Sequence, residues 1–239
     1  MIAILGVTSD DILYFRTKMS LKETVHVFGT IEAYVGTFSK EAAVVCAVGE
    51  SDYLSALVTA SIITQFKPYL VFNVGTVSSF SPSLKQGDLF IPERYYFAQV
   101  DFTLAAKGQF GQIPGQGAFF VADTQLNGEV ENTAYLLTNR YVQRGNIMSG
   151  ETFVMNERLL TNIVAQHYLL DGGIVAYDTN SAGVALACQL SQTAVLTLKA
   201  VNYQVGKEDQ RLNYVRKGLE AMPTIGKIIT KFLIEKESE

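Results

Sequence analysis

The sequence has few of the residues that cross-link chains or bind metals. Its 239 residues include only two cysteines and two histidines. Cys46 and Cys188 lie far apart, each in an apolar run, so we expect two reduced core thiols rather than a disulfide. His26 and His167 are isolated from each other, and two separate histidines do not make a metal site. We therefore expect no bound metal.

Basic charge and long apolar runs are also scarce. The formal net charge is −4 and no dense basic patch occurs, which argues against a nucleic acid partner. No apolar run approaches the roughly 18–20 residues that span a bilayer, so no membrane contact is expected. Met1 leads directly into strand-like residues without a basic segment, which predicts a cytoplasmic protein without a signal peptide. The GxGxxG pattern of dinucleotide sites is missing after the first predicted strand, and we expect no cofactor.

The chain does contain alternating strand-like and helix-like segments. Predicted strands include residues 2–5, 69–74, 143–148, 173–177 and 194–201, and predicted helices include 10–19, 53–65, 132–141, 182–192 and 209–234. This alternation predicts an α/β fold, a three-layer α/β/α sandwich with a central mixed sheet and helices on both faces. We expect one domain over residues 1–234, followed by a short charged tail at 235–239.

The stretch 67–92 is the most informative part of the chain. Residues 69–74 form a continuous apolar run, which is typical of a strand buried on both faces. Gly75 is expected to end this strand, and residues 76–79 to form the loop that follows. Open α/β sheets bind ligands at the carboxyl ends of such strands, so Thr76 and Val77 are candidate ligand contacts.

This stretch resembles the nucleoside phosphorylase/nucleosidase superfamily, and within it the methylthioadenosine/S-adenosylhomocysteine nucleosidases. The shared pattern is a strand, Asn73-Val-Gly75, a small-residue loop, Leu84-Lys-Gln-Gly-Asp88 and a further strand. The resemblance covers residues 2–234 and implies a fold like that of the nucleoside phosphorylases. It also implies a purine nucleoside or base as ligand and a homodimer. Residues 111–115 keep the family's G-Q-x-P-G, found at the dimer interface, although a simple Pro-Gly turn has the same sequence.

The resemblance places Asp11 where the nucleosidases carry a water-activating glutamate. The alternative is that Asp10 and Asp11 only place negative charge at a helix N-terminus. This loop and the neighbouring one are expected to carry four carboxylates, namely Asp10, Asp11, Glu50 and Asp52. Because these would repel phosphate, we expect water rather than phosphate to accept the ribosyl group.

Residues 149–154, SGETFV, resemble the family's S-G-D-x-F segment. In that segment the Phe stacks on the base, and the backbone that follows bonds the edge of the base. Glu151, Phe153 and Val154 are therefore expected substrate contacts. The alternative for Phe153 is an ordinary place in the core, which is the commonest fate of phenylalanine.

Residues 175–182 align with the family's E-M-E segment, whose second glutamate binds the ribose hydroxyls. Asp178 stands at the first acid, Thr179 at the methionine and Asn180 at the second glutamate. An amide can accept from a hydroxyl but gives no negative charge to a cationic transition state. Asp178 and Asn180 are also residue types that favour helix N-caps, which is the alternative for both.

Residues 199–203 resemble the family's R-A-x-S-D, in which the Asp protonates the purine N7. Tyr203 stands at that acid, and Asn202 at the serine. An ordinary tyrosine, with a pKa of about 10, is a weak acid for this step. Asn202 can hydrogen-bond a base nitrogen if the alignment shifts by one residue.

Three functions fit these residues. The first is a nucleosidase of altered chemistry that uses Asp11 and Asp178 and protonates its base through water or Tyr203. The second is a catalytically degenerate relative that binds a nucleoside or base without turnover. The third is an interaction protein without a ligand. The departures at residues 76–79, Thr179, Asn180 and Tyr203 favour changed or reduced activity.

Overall fold

The computed structural model describes residues 1–105, 108–152, 157–168, 173–207 and 214–236. Phe153 and Val154 lie outside the described residues. The strands are β1 (Ile2–Gly6), β2 (Ser20–Phe28), β3 (Ile31–Phe38), β4 (Glu41–Ala47), β5 (Leu70–Ser79), β6 (Leu89–Phe97), β7 (Phe120–Val121), β8 (Gln143–Ser149), β9 (Ile174–Asp178) and β10 (Ala194–Gln204). The α-helices are α1 (Ser9–Lys18), α2 (Asp52–Phe66), α3 (Thr124–Thr138), α4 (Glu157–His167), α5 (Ser181–Leu190) and α6 (Tyr214–Lys236).

The strands form one mixed sheet in the order β10-β6-β8-β9-β5-β1-β4-β3-β2, with β7 paired to β6. The neighbours β4, β1 and β5 are parallel, whereas β2, β3 and β4 form an antiparallel meander. Strand β10 also pairs with β5. Strands β5, β10, β6, β8 and β9 therefore close into a ring, which we call the strand ring.

Helices cover both faces of the sheet, which confirms the predicted three-layer α/β/α fold. On one face Phe232 of α6 meets Phe72 of β5 edge to face, with ring centroids 6.1 Å apart, and α1 and α3 join the same core. On the other face Ile62 of α2 and Val184 of α5 pack in one cluster with Val71. Apolar burial of this kind supplies most of the driving force for folding. Cys46 and Cys188 are buried and unlinked, as expected.

Two predicted boundaries are wrong. Strand β5 does not end at Gly75 but continues to Ser79, because residues 76–79 stay paired with β10 and the last two also with β9. Gly75 continues the strand at φ +135°, a conformation that side chains rarely allow. Helix α3 begins at Thr124 rather than 132, because Asp123 accepts hydrogen bonds from the amides of Gln125 and Leu126.

None of the helices within the described ranges is both long and apolar enough to cross a bilayer.

Candidate functional site

A cavity of about 410 Å³ lies where the carboxyl ends of β1, β4, β8 and β9 meet the second halves of β5 and β10. Its volume is within the range of small-molecule sites. Helix α6 contributes Gly218 and Leu219 to its wall. The other described lining residues are Val7, Thr8, Asp10, Asp11, Glu50, Thr76, Val77, Ser78, Glu151, Tyr177, Asp178, Thr179 and Asn202.

Most of the residues singled out from the sequence meet at this cavity. Those that line it are Asp11, Thr76, Val77, Glu151, Asp178, Thr179 and Asn202. Asn180 and Tyr203 are not among the described lining residues. Seven of the residues singled out from the sequence thus border one cavity, and their roles there stay predictions.

Asp11 is a buried carboxyl group on the first turn of α1. Its side chain is held by Thr8, whose backbone N–H donates to Oδ2 at 2.9 Å and whose hydroxyl donates at 3.1 Å. Burial raises the pKa of Asp11 above its ordinary value, although the Thr8 hydrogen bonds and the positive charge of Lys199 oppose the rise. The carboxyl group packs over Gly75, where an added Cβ would lie 3.4 Å from Asp11 Cγ. Asp11 is thus a fixed carboxyl group that borders the cavity.

Asn202 presents an amide with one unused hydrogen-bonding atom. The residue is only 8% exposed. Its Nδ2 donates to Thr76 Oγ1 at 3.0 Å, whereas Oδ1 is buried without a partner among the described residues. An unmatched buried polar atom costs about 1–3 kcal/mol. The hydroxyl of Thr76 can either accept or donate a hydrogen bond. The side-chain amide of Asn202 can therefore rotate and keep this contact, so that either its carbonyl or its NH₂ group is left for a ligand.

Tyr203 does not lie at the cavity, which corrects its expected place beside the leaving base. The pairing of β10 with β5 is irregular between Val201 and Tyr203, and such a bulge changes the direction of the side chains that follow. Tyr203 is 3% exposed and packs in a core cluster that includes Tyr96 and Tyr177. Its hydroxyl accepts the N–H of Gly206 at 3.3 Å.

Asp178 lines the cavity but is held by groups behind it. Its Oδ2 lies 3.3 Å from Nζ of Lys199, a lysine with 0% exposure. Oδ2 also accepts from the Ser181 hydroxyl at 2.5 Å, and Oδ1 accepts from the Ser149 hydroxyl at 2.6 Å and the Ser181 N–H at 3.1 Å. The negative charge of Asp178 is therefore compensated within the protein.

Asn180 belongs to the same buried network, which corrects the expectation that it lines the cavity as a ribose ligand. Its side chain is fully buried. Nδ2 donates to Asn73 Oδ1 at 3.1 Å, and Oδ1 accepts from Lys199 Nζ at 2.9 Å. Asn180 also occupies the N-cap position of α5, although its side chain makes no capping hydrogen bond. The side-chain amide of Asn180 thus accepts a hydrogen bond from Lys199 and does not border the cavity.

Lys199 joins Asp178 and Asn180 in this buried network, although the sequence assigned it no role. It lies in the middle of an otherwise largely apolar strand, β10. A charged residue in such a strand is rare unless it is paired, and this was the available signal. Its partners come from β9 and the start of α5, which are close in space but 19–21 positions away in the chain.

Negative charge dominates the cavity. Five of the lining residues carry carboxyl groups, namely Asp10, Asp11, Glu50, Glu151 and Asp178. Among the described lining residues there is no lysine or arginine. An anionic ligand would therefore meet repulsion at this site.

Asp52 is a further acid, buried between α2 and α5 rather than in a loop beside the cavity. It is 2% exposed, and its Oδ1 accepts the N–H of Gly183 at 2.8 Å. Its Oδ2 has no partner among the described residues. Burial, with a smaller contribution from the charge of Asp178, raises the pKa of Asp52 well above its ordinary value.

Known proteins resemble this chain along nearly its whole length. A family model described as the phosphorylase superfamily matches residues 1–234. A 5'-methylthioadenosine/S-adenosylhomocysteine nucleosidase of Bacillus pumilus is 27% identical over 207 residues, which are 87% of each chain. The crystal structure of the enzyme of the same name from Neisseria meningitidis, in complex with methylthio-immucillin-A, has a TM-score of 0.86 and 25% identity, covering 97% of both chains. The futalosine hydrolase of Helicobacter pylori shares the fold, with a TM-score of 0.85 and 21% identity over 98% of this chain and 97% of its own.

Proposed function

This chain belongs to the phosphorylase superfamily, and from that premise we propose that it hydrolyses the N-glycosidic bond of a purine nucleoside. Methylthioadenosine and S-adenosylhomocysteine are the substrates we favour, because the curated relatives are nucleosidases named for them. The observation that carries the proposal is the presence of two suitable groups in one cavity. They are the buried carboxyl group of Asp11 and the partly unpaired amide of Asn202.

The proposed reaction assigns each group one task. Asp11 accepts a proton from water as the water oxygen forms a bond to the anomeric carbon. The electron pair of the breaking C–N bond leaves with the purine, which Asn202 holds by hydrogen bonds and which takes its proton from solvent water. Asp178 and Thr179 face the sugar, while Thr76, Val77 and Glu151 complete the wall around the ligand. Phe153 and Val154 keep their proposed places against the base.

We propose water rather than phosphate as the acceptor. Phosphate would need positive charge, and the described lining residues supply five carboxyl groups and no lysine or arginine. Lys199, which contacts the lining residue Asp178, is fully buried and paired with it.

The proposal extends to the organisation of the protein. We propose a single domain over residues 1–234, since one sheet joins strands from both halves of the chain and α6 packs on it. A cytoplasmic homodimer is proposed from the family resemblance. Light scattering of the purified protein tests the dimer.

The test is to incubate the purified protein with methylthioadenosine, S-adenosylhomocysteine, adenosine or inosine, with and without phosphate, and to quantify free base by chromatography. We expect phosphate-independent release. Asp11→Asn is expected to lower the rate by about 10²–10⁴-fold, as for loss of a general base. Glu41→Gln removes a carboxylate at the far end of β4 and should leave the rate unchanged.

Two results would contradict the proposal. One is base release that requires phosphate. The other is a rate unaffected by Asp11→Asn in a variant whose circular dichroism matches the wild type.

A second candidate is a protein that binds a purine nucleoside without turnover. It is favoured by the contacts of Tyr203 and Asn180, which align with the family's acid and ribose-binding positions. In this chain both side chains form hydrogen bonds to other protein groups. Binding of methylthioadenosine by calorimetry, together with no base release from any of the four nucleosides, would favour this candidate.

A further inference from the structure

The three exposed acids of the cavity are not needed for the proposed reaction. Asp10 lies in the first turn of α1, Glu50 follows β4, and Glu151 follows β8. The structure gives no ion pair between any of them and a lysine or arginine in the described ranges. Glu151 Oε1 accepts the backbone N–H of Tyr53, in the first turn of α2, at 3.3 Å. Three segments thus bring exposed carboxylates, which form no ion pair in the described ranges, to one cavity, and we call these three residues the acidic rim. Such a rim attracts cations and repels anions.

Asn202 adds a different kind of group to the cavity. It is a lining residue that is more than nine-tenths buried, and its Oδ1 lacks a partner in the described part of the chain. A neutral N–H donor, such as the amino group of a purine, satisfies that oxygen. The cavity therefore combines a buried amide at Asn202 with the exposed carboxylates of the acidic rim.

We propose that the preferred ligand is a purine nucleoside whose sugar carries a cationic substituent, an amine or a sulfonium, and that the acidic rim selects it. This inference rests on the proposed binding of a purine nucleoside. The base lies against Asn202, and the cation lies among Asp10, Glu50 and Glu151. Substituents with a net negative charge at the same position, such as a phosphate ester or a carboxylate without an amine, are disfavoured.

A matched series of three nucleosides isolates the charge. The 5′ group is an ammonium in 5′-amino-5′-deoxyadenosine, a methyl group in 5′-deoxyadenosine and a carboxylate in adenosine-5′-carboxylic acid. We expect dissociation constants, measured by calorimetry at about 0.1 M ionic strength, to rise about tenfold at each step from cation to neutral to anion, because each exposed carboxylate contributes only modestly. Salt at about 0.5 M should reduce the ratios, since exposed charges are screened.

Glu50→Gln is expected to lower the preference for the cation several-fold, and Glu50→Gln with Asp10→Asn to nearly abolish it. Glu41→Gln is the matched control, because it changes the net charge equally. Glu41 begins β4 and Glu50 follows its end, so the strand's rise separates them by roughly 20 Å. This exceeds the Debye length of about 8–10 Å.

The outcomes separate this inference from the proposed function. Equal affinity for the three nucleosides, tighter binding of the anion, or equal effects of Glu50→Gln and Glu41→Gln would each overturn the acidic rim. Release of adenine from methylthioadenosine in such a case would leave the nucleosidase proposal standing. Conversely, a preference for the cation that depends on Glu50, in protein that releases no base, would support the inference and contradict the nucleosidase.

Discussion

The pairing of Lys199 with Asp178 leads to a quantitative prediction about stability. Both side chains are almost fully buried, at 0% and 5% exposure. Removing one member of a buried ion pair leaves an uncompensated charge and typically costs about 3–5 kcal/mol. Lys199→Met retains most of the volume and removes the ammonium, so we expect a loss of stability in that range. In a chain of this size each kcal/mol lowers Tm by about 2–4 °C, which gives a decrease of roughly 6–20 °C.

The double variant Lys199→Met with Asp178→Asn removes both charges. Residues in contact show coupling energies of about 0.5–3 kcal/mol, so the double variant should be clearly more stable than the sum of the single changes implies. Thermal unfolding followed by circular dichroism, supported by guanidinium titration, measures all four proteins. Lys22→Met is the control, because Lys22 forms only a surface pair with Glu23 and its side chain is 79% exposed. Its loss should change stability by less than about 1 kcal/mol.

The reasoning would be refuted if the stability lost in the double variant equalled the sum of the losses in the two single variants. It would also be refuted if the free energy of unfolding of Lys199→Met lay within about 1 kcal/mol of the wild-type value, because that is the loss typical of an exposed ion pair.

Three further predictions follow from the cavity and its surroundings. Folding raises the pKa of Asp52, so the folded protein retains a proton that the unfolded chain loses at about pH 4. The free energy of unfolding therefore falls as the pH rises from about 4 to the pKa of Asp52 in the folded protein. Asp52→Asn keeps an acceptor for the Gly183 N–H and should unfold at a higher temperature than the wild type at pH 8, with a smaller difference at pH 4. Gly75→Ala places a Cβ at φ +135° and 3.4 Å from Asp11 Cγ, so a loss of about 1–3 kcal/mol in guanidinium unfolding is expected, and an unchanged midpoint would contradict it. Asn202→Leu should leave stability within about 1 kcal/mol while weakening nucleoside binding about tenfold by calorimetry, and unaltered affinity would exclude its contact with the base.

The general architecture could be predicted because burial leaves a pattern in the sequence. Strands of the central sheet appear as apolar runs, and helix α2 appears as a longer, largely apolar segment between Ser51 and Lys67. The boundary at Gly75 could not be predicted in the same way. A glycine after an apolar run usually ends a strand, and here pairing with β9 and β10, which come about 100 residues or more later in the chain, keeps it extended.

The cavity was predictable in place but not in detail. Asp11 and Asn202 follow or occupy strand ends, and that position alone indicates a ligand site. Which side chain of the Asn202–Tyr203 pair faces the cavity depends on the irregular pairing near the end of β10, which a single sequence does not display. The partners of Lys199 likewise depend on tertiary proximity, and so the inward orientation of Asn180 could not be foreseen.

The strand ring also bears on how the chain reaches its native state during synthesis. Strand β5 is complete by residue 79, but its partner β10 is made only between residues 194 and 204. A nascent chain therefore exposes the unpaired edge of β5 for more than 100 residues, which is about 6–20 s of translation. Exposed edges recruit other strands, so the chain is open to aggregation during this interval.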